Sequence, residues 1–183
     1  MEVMAFIGSP RKTGNTATLV GEIVRGAKEA GARIDVYHLN EMKIKPCQGC
    51  YYCRGVEDCA VKDDMQPVYE NMKTANAIII GSPVYMWQVT AQTKLLFDRL
   101  FPLMDSEFRP RFGIKKTVMV YSQAKPDAGV FKGVFDANAQ VLRFMGLNVV
   151  DTLVAADADA VSASKNNAEL MSKAFWAGKE LVG

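Results

Sequence analysis

The stretch Val3-Met4-Ala5-Phe6-Ile7-Gly8-Ser9-Pro10-Arg11-Lys12-Thr13-Gly14-Asn15-Thr16 decides the fold. Its first five residues are continuously apolar rather than alternating, the pattern of a strand covered by helices on both faces. The nine that follow are rich in glycine and hydroxyls and open directly into a helical period, with Leu19, Val20, Ile23, Val24 and Ala27 on one face and Gly31 where the helix would stop. Strand, polar loop and helix in that order set free helix N–H groups and the positive end of the dipole against the loop, so the segment is an anion site by construction. Arg11 can add charge, and Ser9, Asn15 and Thr16 add neutral donors. A magnesium-nucleotide loop, G-x-x-x-x-G-K-S/T, does not fit: Gly8 and Gly14 stand one residue too far apart, and Asn15 occupies the lysine position. The dinucleotide pattern G-x-G-x-x-G is absent. What remains suits one terminal phosphate bound without magnesium, as in FMN. A plain capped turn uses the same residue types but needs about three of them, not nine.

Outward from this unit, strand and helix patterns alternate. Arg33–Leu39 is a second strand; Asp63 or Asp64 can cap a helix carrying Met65, Val68, Tyr69 and Met72; and Ala77–Ile80 is a third strand. Gln88–Met104 reads as a helix whose end, with Leu96, Phe97, Leu100, Phe101, Leu103 and Met104, is apolar enough to suggest a subunit interface. Thr117–Tyr121 is a fourth strand, residues 131–145 a helix stopped by Gly146, and Leu147–Val154 a fifth strand. A last helix from about Lys165 buries Leu170, Met171, Ala174, Phe175 and Leu181. Five alternations select an α/β parallel sheet with right-handed crossovers, in one of two doubly wound orders, with ligands beyond the carboxyl ends of the strands.

With 183 residues, 49% of them apolar, and a net charge of +2, residues 1–183 are expected to form one domain. No apolar run approaches the ~20 residues of a membrane span and Met1–Gly8 has no basic leader, so the expectation is a cytoplasmic chain without membrane contact. Lys and Arg are not clustered, which gives no reason to expect nucleic acid. The short basic stretch Arg109–Lys116 reads as a solvated loop entering a strand, ahead of an anion site for a nicotinamide cofactor phosphate. The single histidine, His38, ends the second strand as a structural imidazole, and no G-x-S-x-G motif accompanies it, so hydrolytic chemistry is set aside.

Two further loops carry chemistry. Gly81-Ser82-Pro83-Val84-Tyr85-Met86-Trp87 follows the third strand, where backbone amides can bond one edge of a flat ring while Tyr85, Met86 or Trp87 cover its face. The long polar loop after the fourth strand, from Ser122 and Gln123 to Gly129, can supply a third wall. All four cysteines lie in one segment, Cys47, Cys50, Cys53 and Cys59, spaced C-x2-C-x2-C-x5-C, which is no disulfide framework for a domain this size. Three evenly spaced thiolates and a fourth suit a [4Fe–4S] cluster; structural zinc and metal-free redox thiols are the alternatives. The cysteine loop leaves the carboxyl end of the second strand, so it is expected near the ring, within one chain or across a dimer contact, with Tyr51 and Tyr52 either shielding a cluster from water or simply packing.

These residues resemble the iron-sulfur flavoproteins and their NADPH-dependent FMN reductase relatives in the flavodoxin-like superfamily. The resemblance rests on residues 8–16, on Ser82–Trp87 running to Phe97-Asp98-Arg99, and on the cysteine motif followed by Lys62-Asp63-Asp64-Met65. It implies a five-stranded parallel sheet of order 2-1-3-4-5 with helices on both faces. It implies FMN at a dimer interface, bound by Ser9, Arg11, Gly14, Asn15, Thr16, Ala17, Pro83, Val84, Tyr85, Met86, Trp87, Ser122 and Gln123. It also implies a [4Fe–4S] cluster on Cys47, Cys50, Cys53 and Cys59 that takes electrons from a ferredoxin-like donor and passes them through FMN to a small acceptor, in a homodimer or tetramer. The alternative is an NAD(P)H-dependent FMN, quinone or azo reductase without a working cluster.

Overall fold

A computed structural model describes residues 1–183. At its centre β1 (Glu2–Ile7) pairs in parallel with β2 (Arg33–His38) on one side and β3 (Ala77–Tyr85) on the other; β5 (Lys115–Ser122) pairs with β3, and β6 (Leu147–Ala155) with β5. The order β2-β1-β3-β5-β6, counted over these five parallel strands, is the expected 2-1-3-4-5 of the flavodoxin-like fold. A two-residue strand, β4 (Gln88–Val89), adds antiparallel to the end of β3, with Val84 opposite Val89 and Tyr85 opposite Gln88.

That hairpin corrects the sequence reading, which began a helix at Gln88. α3 spans only Ala91–Arg99, because Thr90 caps it by accepting the N–H of Thr93, and a short 3-10 turn at Phe101–Leu103, with Pro102 inside it, follows.

Alternate residues of the strands face opposite ways and build two cores. Val3, Ala5, Ile7, Ile79, Val118 and Val120 meet α1 (Asn15–Glu29) and α6 (Ala168–Val182), the latter preceded by the four-residue α5 (Ala163–Asn166). Met4, Phe6, Ile78, Ile80, Met119 and Tyr121 meet α2 (Met65–Thr74), α3 and α4 (Lys132–Phe144). α1 and α6 touch backbone to backbone: a Cβ on Gly26 would stand 2.0 Å from the Phe175 carbonyl oxygen, and one on Gly178 would stand 2.0 Å from that of Ile23. Ala174, Ala177, Gly178 and Leu181 therefore form the buried contact of α6, Ala174 and Leu181 as expected, whereas Leu170, Met171 and Phe175 are only partly buried.

Two other expectations change. Leu96, Phe97, Leu100, Leu103 and Met104 are buried within the chain itself, in the core with Cys59, so most of the excess apolar surface at the end of α3 is used inside the chain; Phe101 alone of the six stays partly exposed, on the wall of a cavity. The stretch from Arg109 to Lys116 is not simply solvated: Arg111 donates to the carbonyls of Met104, Cys53 and Arg54, and buried Lys115 donates to those of Ala75 and Phe112 at 2.6 and 3.1 Å. No helix is long and apolar enough to cross a membrane.

Candidate functional site

The carboxyl ends of β1, β3 and β5 meet the start of α1. The Gly8 N–H donates to the Gly81 carbonyl at 2.8 Å, and a Cβ on Gly81 would stand 2.5 Å from Val20 Cγ2, so glycine there lets the first turn of α1 close onto the sheet edge. No side chain caps α1, which leaves its first-turn N–H groups for a ligand. Ser9 Oγ accepts from the Arg11 N–H at 3.1 Å and shapes the turn, while Thr16 and Ser122 hydroxyls bond at 2.7 Å and tie α1 to β5.

Between these elements lies a cavity of about 230 Å³. Of the sequence-selected residues, Ser9, Arg11, Gly14, Asn15, Thr16, Pro83, Val84, Tyr85, Ser122 and Gln123 line it; Ala17, Met86 and Trp87 do not. Asn15 is not a free donor. Its amide donates to the Ala158 and Ala160 carbonyls at 2.9 and 2.8 Å, and its oxygen accepts from the Ser164 N–H at 2.8 Å. It latches the segment after β6 onto the phosphate loop and brings Ala158 and Asp159 into the cavity wall. Sequence reading missed those two residues, since Ala156-Asp157-Ala158-Asp159-Ala160 matches no ligand motif. Gln123 turns its amide to the carbonyls of Lys125 and Asp127, leaving Oε1 buried without a donor on the cavity wall.

Met86 and Trp87 form the two-residue turn between β3 and β4, with φ of 45° and 64°. This is the backbone of a type I′ turn, which favours Asn-Gly, and here two bulky residues carry it at a cost of roughly 1–2 kcal/mol each. Both side chains protrude, Met86 88% and Trp87 63% exposed, and Trp87 meets Phe131 edge-on with centroids 5.9 Å apart.

All four cysteines line a second cavity, of about 690 Å³. Cys53 and Cys59 are buried, Cys47 and Cys50 exposed, and no three His, Cys, Asp or Glu side chains converge closely enough to hold a single metal ion. Burial, helped by the neighbouring cysteines, pushes the Cys53 thiol up. Two arginines absorb the carbonyls of the loop. Arg111 takes those of Cys53 and Arg54. Arg99, fully buried, takes those of Lys45 and Val61 and pairs with Asp63 at 2.5 Å. Burial opposes ionisation of Asp63, but Arg99 and the N–H groups of Lys45 and Met65 outweigh it and hold the carboxyl below its ordinary range. Asp63 and Asp64 also accept from the N–H groups of Lys45 and Lys43, pinning the loop where it enters to where it leaves. Asp64 does not cap α2 with its side chain, but Asp63 Oδ1 accepts the first N–H of the helix, that of Met65, at 3.0 Å, and Gln66 Oε1 accepts the Asp63 N–H at 3.1 Å, so of the two expected caps it is Asp63 that serves the helix start. Sequence reading missed the roles of Arg99 and Arg111; the available signal was the Asp63-Asp64 pair directly after the cysteines.

The two cavities share no lining residue. The cysteine cavity is walled by the later turns of α3 and α4, which lead away from the carboxyl rim, so within one chain the loop folds back along the helices instead of resting beside the ring site. Tyr51 and Tyr52 are both exposed; Tyr51 nevertheless lines the cysteine cavity, and Tyr52 does not.

Compared with known proteins, residues 1–160 match the family model described as NADPH-dependent FMN reductase. An iron-sulfur flavoprotein of Methanosarcina thermophila is 37% identical over 118 residues, 64% of this chain and 60% of that protein. Another, of Methanocaldococcus jannaschii, is 41% identical over 103 residues, 56% of this chain and 53% of that protein. The chain thus spans about half the length of the curated relatives it matches. Among solved structures, the NAD(P)H:quinone oxidoreductase from Methanothermobacter marburgensis superposes with a TM-score of 0.75 at 18% identity, over 100% of this chain and 98% of that one, a likeness of fold.

Proposed function

From a chain that belongs to the NADPH-dependent FMN reductase family, we infer a flavin-dependent oxidoreductase that holds FMN at the rim cavity and a [4Fe–4S] cluster in the cysteine cavity. The observation that carries the flavin is an uncapped helix start opening onto a cavity lined by Ser9, Arg11, Thr16, Ser122 and Gln123. The first-turn N–H groups of α1 and the Arg11 guanidinium bind the phosphate, and Gln123 Oε1 accepts from a ligand hydroxyl or ring N–H. Tyr85 lines the cavity, and the strained Met86-Trp87 turn next to it, outside the cavity wall, offers the exposed Trp87 to the part of the flat ring that extends beyond the cavity.

The cysteine cavity supports a cluster rather than one ion. A zinc ion draws its thiolates to within about 2.3 Å of one point, whereas a cubane spreads four cysteines to its corners, as four thiols around one large cavity allow. A buried, unpartnered Arg99 Nε–H on the same wall supplies a donor for sulfur. When bound, the cluster exchanges single electrons and FMN one or two, which fits a one-electron donor of ferredoxin type and a small two-electron acceptor. The second reading, direct NAD(P)H-dependent reduction of flavin, quinone or azo compounds without a cluster, is favoured by the thiols not being gathered in advance.

Anaerobically purified protein should show flavin absorbance over a broad iron-sulfur shoulder, with iron and labile sulfide on assay. Flavin without iron selects the second reading. Colourless protein that does not take up micromolar FMN overturns both.

A further inference from the structure

Arginine carries five N–H donors in a rigid plane. Arg99 uses four of them: Nη1 donates to the Lys45 carbonyl and to Asp63 Oδ2 at 2.7 and 2.5 Å, and Nη2 to the Val61 carbonyl and Asp63 Oδ1 at 3.0 and 3.1 Å. These contacts fix the plane and hence the direction of the fifth donor. That fifth group, Nε–H, is buried with no acceptor in the chain. A buried unsatisfied donor costs roughly 1–3 kcal/mol, more for a charged group, and the fully buried side chain has no route to solvent. The other charged residues on the same cavity wall, Lys94 and Asp98, are satisfied by each other at 2.6 Å in solvent. Arg99 alone among them presents an unused donor, and the cavity it lines with all four cysteines is rich in sulfur. Its charge lies within electrostatic reach of Cys59.

We propose that Arg99 donates its Nε–H to the sulfur shell of the cluster, holding the returning arm of the cysteine loop in ligating position and raising the cluster's reduction potential. This rests on the cluster reading above. A hydrogen bond to sulfur favours the more negative, reduced state, and net charge and hydrogen bonding to sulfur are the levers by which a protein sets such potentials. Asp63 engages only the two Nη atoms, so it anchors the guanidinium without competing for Nε.

The direct test uses wild-type holoprotein with 15N-labelled arginine, its cluster reduced chemically and studied by pulsed EPR. A 15N hyperfine coupling from one arginine to the cluster spin is the expected result. Iron and sulfide present in full with no such coupling overturns the inference and leaves the cluster reading intact; absence of iron and sulfide overturns both. A second measurement uses the double variant Arg99→Gln/Asp63→Asn, which removes the pair together so that neither charge is left buried alone. At a fixed poise its reduced-to-oxidised cluster ratio should fall about tenfold, equivalent to about 59 mV for a one-electron couple, with FMN content retained. An unchanged ratio in iron-replete variant overturns the role in potential. Should the variant not fold, the isotope measurement on the wild type decides alone.

Discussion

Asn15 shows how one side chain can serve a binding site without touching its ligand. A Ser, Thr or Asn at a helix start ordinarily caps the helix; Asn15 instead makes three hydrogen bonds to a segment about 145 residues away, and the helix start is left open. Asn15→Ala should therefore free the Ala158–Ser164 segment, lose about 1–3 kcal/mol and weaken FMN binding about tenfold in a fluorescence titration, with the far-UV spectrum unchanged. Asn15→Asp should be worse, because it turns the two donors toward carbonyls into acceptors and adds negative charge beside the phosphate. Asp63 gives a pH prediction. Its folded carboxyl titrates below the ordinary value of about 3.9, so its contribution to stability is complete above that value and is lost as pH falls through the folded one. Asp63→Asn, which leaves Arg99 buried without its counter-ion, should be destabilised by roughly 3–5 kcal/mol at pH 7 in urea unfolding, and the gap to wild type should narrow below about pH 4. A gap that stays constant down to pH 3 would mean that the ion pair is not the source.

At the scale of elements, the β3–β4 hairpin is the place where local preference and native structure disagree. Met86→Asn/Trp87→Gly gives the turn the residues its backbone favours. Relief of two left-handed residues at roughly 1–2 kcal/mol each outweighs the Trp87–Phe131 contact, worth about 0.5–1.5 kcal/mol, so the variant should unfold about 1 kcal/mol later in urea. It should also bind FMN more weakly, since the rim loses its aromatic cover, a trade of stability for function. The same turn explains what sequence could not reveal. Val3–Ile7, Ala77–Ile80 and Thr117–Tyr121 were legible as strands because burial on both faces removes alternation, and the loop at 8–16 was legible because an anion site needs so many small polar groups in one place. β4 was not, because Met-Trp carries none of the chemistry that marks a two-residue turn. Nor was the wall at Ala158 and Asp159 legible, because its placement depends on a partner at Asn15 with no local trace. The cysteines declared themselves as one object, but the arginines that hold their loop act through carbonyls 38 to 58 residues away, which no spacing motif encodes.

For the whole molecule, the sheet separates two cores, and the two cavities open on different parts of it without a common residue. Sites without shared partners contribute to stability almost additively, within about 0.3–0.5 kcal/mol. A ligand that binds only the folded state stabilises it by mass action, about 2.7 kcal/mol at a hundredfold excess over its dissociation constant. For a domain of this size that corresponds to a rise of roughly 5–10 °C in Tm. Removing the two exposed thiols in Cys47→Ala/Cys50→Ala disturbs no buried packing, so the variant should fold while losing the iron-sulfur shoulder. Its FMN-induced rise in Tm should then equal that of wild type to within about 1–2 °C, the equivalent of about 0.5 kcal/mol, measured at the same FMN excess. A larger difference would mean that the cysteine loop and the flavin rim are energetically linked, through contacts between chains or through a loop movement, and the two cavities could no longer be treated as independent sites on one scaffold.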